Sequence, residues 1–269
     1  MDLHSLGFRT DAMLIAFDGV VRDLGDAVKV TNPNNPGHFF GNFLVFDRPP
    51  RAGDLAGWEA RFASEVGAPP LTRHVLLGWD TNTREQPDLT EFLAAGYALE
   101  ENLVMATRDL HPPKRPNREA EFRPIRDDDD EWAQVLECQI ATKEDRWDAE
   151  QYRVFKTQQM RRYRAMTRAG MGHWYGAFVD GELAADLGVF VVDGLARYQS
   201  VGTLPKFRRR GLCGTLTHLA GEHARETLGA RDFVIVADDH YFAKDVYADV
   251  GFRPYERQQM LLRTEPGAG

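Results

Sequence analysis

The chain has 269 residues, of which 43% are hydrophobic and 28% charged, and its formal net charge is −8. This composition is that of a globular protein with room for two domains, and no apolar run of about 18 residues predicts a membrane span. The acidic balance disfavours nucleic acid as a partner and favours a cationic substrate, while two cysteines are too few for a disulfide framework or a cysteine zinc site and indicate a reducing, cytoplasmic setting.

In the first half of the chain, the hydrophobic pattern predicts alternating strands and helices. A cluster of turn-forming residues at 31–37 must be a loop. The helical spacing of Leu55, Trp58 and Phe62 predicts a helix with one apolar face. The predicted elements are strands over residues 12–17, 26–31, 39–46, 74–79 and 97–107, a helix that follows residue 53, and a short helix over residues 88–95.

A stretch rich in proline and charge at residues 109–118 has the composition of a linker. It predicts a domain boundary, with one domain over residues 1–116 and a second over residues 117–269. In the second domain, two Asp-Gly pairs between apolar runs predict tight hairpins with positive φ, at Asp180-Gly181 and Asp193-Gly194. The predicted elements there are strands over residues 122–125, 173–179, 183–192, 195–203 and 233–237, and helices over residues 149–169 and 211–228, the last joining two parallel strands.

The acidic run at residues 127–130 has two interpretations. Acidic residues before Trp132, Val135 and Leu136 are typical of a helix start, where they complement the helix dipole. The other interpretation is a metal cluster, which is disfavoured because no matching set of ligands is visible elsewhere. We therefore expect a helix start and no metal.

The stretch from Val201 to Thr215 joins a predicted strand to a predicted helix and contains the triplet Arg208, Arg209 and Arg210. A helix N-terminus exposes unpaired N–H groups, glycines let the backbone approach an anion, and arginines donate forked hydrogen bonds to phosphate. The turn therefore predicts a phosphate site, with a merely solvated basic run as the alternative. A Walker loop is excluded because no Gly-Lys-Ser/Thr follows, and a dinucleotide fingerprint because no Gly-x-Gly opens the turn.

Within this turn, Arg208-x-x-Gly211-x-Cys213 resembles the Arg/Gln-x-x-Gly-x-Gly/Ala signature of the GNAT-type N-acetyltransferases, with Cys213 in place of Gly or Ala. Downstream, Tyr247-Ala-Asp-Val-Gly251-Phe252 resembles the Tyr-x-x-x-Gly-Phe element of that family. The resemblance covers residues 122–264. It implies a mixed α/β sheet of the acetyl-CoA-acetyltransferase-like fold, in which an antiparallel meander enters a parallel β-α-β unit.

The resemblance also implies where the cosubstrate acetyl-CoA binds. In the family, acetyl-CoA lies between two parallel strands that splay apart, so Val201, Gly202 and Thr203 would pair with its pantetheine arm and polarise the thioester carbonyl. The pyrophosphate would lie on the amides of the turn, which comprises Arg208, Arg209, Arg210, Gly211, Leu212, Cys213, Gly214 and Thr215. His240 stands where the family often has Asn, a departure that affects one cofactor contact.

Tyr247 is the candidate catalytic residue, because a phenol can donate a proton to a departing thiolate and the family motif has its tyrosine here. The alternative is a packed aromatic residue. The general base is left open among Glu137, Glu144, Asp145 and His173. At a helix N-terminus the pKa of Cys213 could be lowered, although a small residue beneath the phosphates is the favoured interpretation.

The order of strands and helices in the first half echoes the order after Leu195, and Gly96-Tyr97 stands where Gly251-Phe252 stands. An internal duplication is therefore expected, giving two tandem GNAT-like domains. The first copy lacks the arginine-glycine turn, and two prolines at residues 49–50 remove backbone donors there. We interpret it as degenerate and without a cofactor site; an unrelated α/β domain is the alternative.

The function implied is an N-acetyltransferase that moves an acetyl group from acetyl-CoA to a primary amine by direct attack. The acceptor, a small molecule or a peptide, is not specified by the sequence, and a homodimer is left open. The second hypothesis is a non-catalytic acyl-CoA-binding sensor or regulatory module. A nucleic-acid binder that uses Lys206 and the arginine triplet is the weakest, because the rest of the chain is acidic.

Overall fold

The computed structural model describes residues 1–81, 85–143, 148–238 and 243–264. Over these ranges, no helix is long and apolar enough to span a membrane. The helices are α1 (Leu6–Ile15), α2 (Leu55–Glu65), α3 (Thr90–Ala94), α4 (Asp129–Ala141), α5 (Ala149–Arg168), α6 (Leu212–Leu228) and α7 (Ala243–Ala248). The strands are β1 (Val20–Asp23), β2 (Ala27–Thr31), β3 (Phe43–Phe46), β4 (His74–Trp79), β5 (Ala98–Thr107), β6 (Glu121–Pro124), β7 (Gly172–Val179), β8 (Glu182–Val192), β9 (Leu195–Thr203), β10 (Asp232–Asp238) and β11 (Arg253–Thr264).

The first of two compact units comprises Met1–Asn102 and the chain from Glu256 onward. Its strands include the order β1-β2-β3-β4-β11, in which β3 and β4 are parallel and the other pairs are antiparallel. Alternation along β3 divides its side chains between two faces. Phe43 packs near Phe8 of α1 on one face, and Phe46 stacks on Trp58 of α2 on the other, with ring centroids 3.8 Å apart.

The second unit, Leu103–Tyr255, has the strand order β5-β10-β9-β8-β7-β6, to which β5 contributes residues 103–107. β6 to β9 form an antiparallel meander, and β9 then pairs in parallel with β10 through the connecting helix α6. α6 covers one face of this sheet, while α4 and α5 lie on the face of Trp174 and Phe190. This is the predicted mixed α/β architecture, with the meander entering a parallel β-α-β unit.

The units divide the chain at Asn102, and not in the linker (residues 109–118) where the sequence places a boundary at 116/117. β11, from the end of the chain, lies beside β4 in the first unit, and β5, from the end of the first half, lies beside β10 in the second. Most of β11 thus belongs to the first unit, and the second half of β5 belongs to the second unit. A boundary drawn from linker composition does not account for this arrangement.

The predicted strand over residues 12–17 is wrong, because most of this run lies in α1. Ser5 caps that helix by accepting a hydrogen bond from the Phe8 N–H, and Phe8, Ala12 and Ile15 recur at helical spacing on its buried side. The prediction rested on the short apolar run alone, which does not distinguish a strand from the end of a buried helix.

Both Asp-Gly turns form as predicted, with φ of 51° at Asp180 and 82° at Gly181, and 52° at Asp193 and 84° at Gly194. These turns fix the registers of the hairpins β7-β8 and β8-β9. Because the registers are fixed, each side chain of β9 lies on a defined face of the sheet where the strand enters the arginine-glycine turn.

Candidate functional site

β9 and β10 are paired only at their beginnings. The parallel register matches Leu195–Arg197 with residues 232–234, whereas β9 continues to Thr203 and β10 continues to Asp238. Over the described residues no pairing between the two strands is recorded beyond Arg197. The carboxyl half of β9, with Val201, Gly202 and Thr203, therefore has no ladder to β10, as expected for two strands that splay apart.

A β-bulge lies in the same half of β9. The pairing with β8 shifts from Asp186 opposite Gly202 to Gly188 opposite Gln199, so two residues of β9 face one of β8. Ser200, inside the bulge, has φ of 49°, a left-handed conformation that serine rarely adopts. The bulge re-aims the backbone groups that follow it, and these are the groups of Val201 to Thr203.

After β9 a 3-10 turn (Pro205–Phe207) leads into the arginine-glycine turn, where Arg209 and Gly211 have φ of 61° and 74°. Gly211 is the N-cap of α6 and supplies no side-chain cap, whereas side-chain oxygens of Ser5, Asp128 and Asp148 cap α1, α4 and α5. The N–H groups of residues 209–214 donate no hydrogen bond to another described residue. Six consecutive amides at a helix N-terminus suit an anion.

The three arginines of the turn are exposed and differently engaged. Arg208 Nε donates to the Thr203 carbonyl oxygen at 3.2 Å, and Arg210 Nη2 lies 2.9 Å from Glu119 Oε2. The Arg209 side chain has no partner among the residues that the structure describes. The turn thus combines free amides with three accessible guanidinium groups, a combination that suits a pyrophosphate.

The linker packs on this turn, which the sequence did not reveal. Asn117 N–H donates to Thr215 Oγ1 at 2.8 Å, and Asn117 Nδ2 donates to the Arg210 carbonyl oxygen at 2.9 Å. Asn117 Oδ1 accepts from the N–H groups of Glu119 and Ala120. A single asparagine therefore ties the linker to the turn. Its only sequence signal is its place in a proline-rich stretch.

The first residues of α6 are packed rather than reactive. Leu212 is buried in the core, Gly214 lies against Pro113, and Thr215 Oγ1 donates to the Gly211 carbonyl oxygen at 2.8 Å. Burial raises the pKa of Cys213 to about 11. The lowered pKa considered for a thiol at a helix N-terminus is therefore wrong, and burial agrees with the interpretation of Cys213 as a small residue beneath the turn.

Tyr247 lies on α7 and is only 5% exposed. Its ring meets Phe252 edge-on with centroids 6.4 Å apart, and its carbonyl oxygen accepts from the N–H groups of Val250 and Phe252 at 3.1 Å each. The Tyr-x-x-x-Gly-Phe element thus folds into one turn that packs on the core. This packing agrees with a structural role and leaves the catalytic role a prediction. His240 lies outside the described residues.

Two of the candidate bases, Glu137 and His173, lie among the described residues. Glu137 pairs with Arg153, with Oε1 and Nη1 2.6 Å apart, and this contact lowers its pKa. Burial and the neighbouring His223 lower the pKa of His173. Glu144 and Asp145 lie outside the described residues, so the base stays unassigned.

The acidic run at residues 127–130 is a helix start, as predicted. Asp128 caps α4 by accepting from the N–H groups of Asp130 and Glu131, and Asp127 pairs with Arg164 and Arg168. The side chains of Asp127, Asp128 and Asp129 thus have backbone or arginine partners. A group of three metal-ligating side chains is not found in the part of the chain that is described.

A buried polar cluster lies beside Gly202. Gln139 of α4 donates from Nε2 to both carboxylate oxygens of Asp186, at 3.0 Å each, and to the Ser200 carbonyl oxygen at 2.7 Å. Lys156 of α5 donates from Nζ to Gln139 Oε1 at 3.1 Å. The signals for it in the sequence are Asp186 within an apolar strand and Lys156 on the apolar side of a helix.

The comparisons with known proteins bear on this unit and on the fold. The model of the acetyltransferase (GNAT) family matches residues 132–252, which lie within the second unit. A search of curated proteins found no match.

Solved structures resemble the chain over most of its length. A functionally unknown conserved protein from Staphylococcus epidermidis has a TM-score of 0.68 and 14% identity, over 93% of this chain and 95% of that one. A GCN5-related N-acetyltransferase from Kribbella flavida has a TM-score of 0.63 and 17% identity, over 98% and 97%. A tandem GNAT protein from the clavulanic acid biosynthesis pathway has a TM-score of 0.51 and 16% identity, over 84% and 75%.

At these identities the likeness establishes the fold. The family model then identifies the domain that contains the turn, the splayed strands and the bulge. Residues 132–252 of this chain are a domain of the acetyltransferase (GNAT) family.

Proposed function

We propose that the second unit binds acetyl-CoA and transfers its acetyl group to a primary amine by direct attack. The observation that carries the proposal is the loss of pairing between β9 and β10 beside a helix N-terminus with six unpartnered amides. The amides of residues 209–214 and the three arginines would bind the pyrophosphate, and the free edge of β9 at Val201 to Thr203 would pair with the pantetheine arm.

The bound thioester would supply an activated acyl carbon. Backbone N–H groups near Gly202 would polarise its carbonyl oxygen, and the neutral amine would attack the carbon as the C–S bond breaks. Tyr247 would donate its phenolic proton to the leaving thiolate, while the amine gives up a proton to water. The proposal specifies that the acceptor is a primary amine, and it applies equally to a small molecule and to a peptide.

We further propose that the first unit is a second copy of the fold without a cofactor site. Parallel β3 and β4 joined by α2 repeat the arrangement of β9, α6 and β10. At the start of α2, both terminal nitrogens of Arg48 donate hydrogen bonds to the Asp54 carboxylate. The Arg51 N–H donates to Asp54 Oδ2 at 2.7 Å. A carboxylate of the chain itself thus takes the place that a phosphate would need.

The experiment is a calorimetric titration of acetyl-CoA into the wild type and into Gly211→Asp, followed by a screen of amines for release of the CoA thiol. We expect binding that Gly211→Asp abolishes, because a carboxylate at this N-cap repels the pyrophosphate. Gly229→Asp is the matched control, since Gly229 is also left-handed, with φ of 68°, but lies at the other end of α6.

Lack of binding to the wild type would reject the proposal. Binding without turnover of any amine would favour the alternative, a non-catalytic acyl-CoA sensor, and the packed environment of Tyr247 is the observation that keeps this alternative open.

A further inference from the structure

We propose that a buried polar bridge from α4 and α5 holds the bulge of β9 in place and so positions the backbone groups that the proposed acetyl transfer uses. The polar bridge consists of Gln139, Lys156 and Asp186, and it ends on Ser200. The inference rests on the proposed function, and it assigns positioning residues on two helices that the motifs of the cosubstrate site do not include.

Ser200 is held by both helices. Gln139 Nε2, from α4, donates to its carbonyl oxygen at 2.7 Å, and Lys156 Nζ, from α5, donates to its hydroxyl oxygen at 3.3 Å. Since a left-handed serine is unfavourable by itself, its φ of 49° persists only where the surroundings determine it. The two hydrogen bonds hold Ser200 in this conformation at the point where β9 departs from a regular ladder.

The cluster contains two buried charged groups. Asp186 is 0% exposed and Lys156 is 6% exposed. Burial lowers the pKa of Lys156 to about 8 and raises that of Asp186 to about 6. Apolar residues of similar volume would often stabilise such a core as well or better. The polar bridge is therefore better explained by the geometry that it specifies than by stability.

All donors of the lysine are engaged. Lys156 Nζ contacts Gln139 Oε1, Gln159 Oε1 and Ser200 Oγ, the first two at 3.1 and 2.8 Å. The Asp186 carboxylate is likewise satisfied, since it accepts from Gln139 and from Trp174 Nε1 at 2.9 Å. A cluster with saturated hydrogen bonds suits the holding of a backbone rather than the binding of a substrate.

The polar bridge also touches β9 two residues later. A Cβ added to Gly202 would stand 2.9 Å from Asp186 Oδ1, 3.2 Å from Thr142 Oγ1 and 3.3 Å from Gln139 Nε2. The backbone of Gly202 thus rests directly on these polar groups. Any displacement of Gln139 or Asp186 would be transmitted to the backbone where the thioester is proposed to bind.

The test uses the full chain and compares Gln139→Leu and Lys156→Met with the wild type. Hydrogen exchange of the amides of residues 199–203 is measured first, because this readout does not depend on activity. We expect exchange to become at least about tenfold faster in both variants, since the bulge loses a hydrogen bond and opens more often. Unchanged exchange in both variants would overturn the inference, whatever the chain's activity.

The second arm is kinetic, on an amine that the wild type acetylates. We expect kcat to fall about tenfold while the affinity for acetyl-CoA changes less than about threefold, because the pyrophosphate site is left intact. Adding Ser200→Gly should restore most of the lost kcat and slow the exchange again, since glycine adopts positive φ without help. Failure of this rescue in both readouts would mean that the polar bridge acts only on stability.

Tyr163→Phe is the matched control. It removes a 3.1 Å hydrogen bond from the same helix α5 to the Gln199 side chain on the same strand, but none to Ser200. We expect wild-type exchange and kcat. An effect equal to that of Lys156→Met would contradict a role specific to Ser200. Absence of acetyl-CoA binding in the wild type would reject the proposed function and leave the exchange result standing.

Discussion

Gly211 lies directly against the backbone carbonyl of Arg115. A Cβ added to Gly211 would stand 2.5 Å from that carbonyl oxygen, and Gly211 has φ of 74°. The position thus requires glycine for two independent reasons, a left-handed conformation and the close passage of the linker. The glycine of the proposed phosphate-binding turn is also the residue on which the linker packs.

Gly211→Ala should therefore disrupt the turn and the linker together. We expect the free energy of unfolding to fall by about 2 kcal/mol and the affinity for acetyl-CoA to fall at least about tenfold. Gly229→Ala is the control, because Gly229 is also left-handed, with φ of 68°, but a Cβ there would meet no atom within 4 Å. Denaturant titration and calorimetry measure both effects; equal losses in the two variants would contradict the argument.

A second prediction concerns the way in which Asn117 holds the turn. Asn117→Ala removes the hydrogen bond to the Arg210 carbonyl oxygen and the acceptor of the N–H groups of Glu119 and Ala120. We expect acetyl-CoA to bind about fivefold to tenfold more weakly, because the amides of the turn lose their fixed orientation. Calorimetric titration measures the change.

Glu119→Gln is the comparison for that variant. It removes only the ion pair with Arg210, whose two side chains are 37% and 74% exposed, and exposed pairs contribute little to stability. Freeing Arg210 should leave the affinity unchanged or raise it by less than about threefold. A larger loss with Glu119→Gln than with Asn117→Ala would mean that the side-chain charge of Arg210, and not its backbone, is what the linker controls.

The sequence could predict the parts of the site that local chemistry determines. The glycines and arginines of residues 208–214, the parallel pair β9 and β10, and the two Asp-Gly hairpins all follow from turn chemistry and periodicity. Ser200 could not be predicted, since serine does not favour positive φ, and the contacts that it receives from Gln139 and Lys156 come from 61 and 44 residues earlier in the chain.

Partner choice among strands could not be predicted either. The apolar patterns of β5 and β11 indicate buried strands but do not say which neighbour each will take. Met260 pairs with Gly78, although residues 78 and 260 are 182 positions apart in the chain. Local patterns carry no information at such a separation.

A third prediction separates the two interpretations of Tyr247. Tyr247→Phe keeps the ring and its edge contact with Phe252, so the affinity for acetyl-CoA should change far less than kcat. If the phenol protonates the departing thiolate, kcat should fall about 100-fold, and the fall should be smaller with a thioester whose leaving thiol is more acidic. An unchanged kcat would assign Tyr247 to packing alone.

A fourth prediction concerns His74 in the first unit, which is only 3% exposed. Its Nε2 lies 2.8 Å from the Asn42 carbonyl oxygen, so Nε2 carries the proton, and its buried Nδ1 has no hydrogen-bond partner among the described residues. Protonation would place a buried N–H at Nδ1 without an acceptor. Burial accordingly lowers the pKa of His74 from 6.5 to about 4.

Because this pKa is lowered on folding, the unfolded chain binds more protons than the native one between about pH 4 and 6.5, and stability falls as the pH falls through that window. His74 should remove about 1.5 kcal/mol between pH 6.5 and 5. Asp186, with its pKa raised to about 6, contributes to the pH dependence of stability with the opposite sign.

The quantity to measure is therefore the difference in the pH dependence of stability between the wild type and His74→Gln, which keeps a donor for Asn42 but does not titrate. Thermal unfolding at both pH values should show that His74→Gln loses less stability on acidification than the wild type does. Parallel pH profiles for the wild type and His74→Gln would mean that the His74 pKa is not lowered on folding.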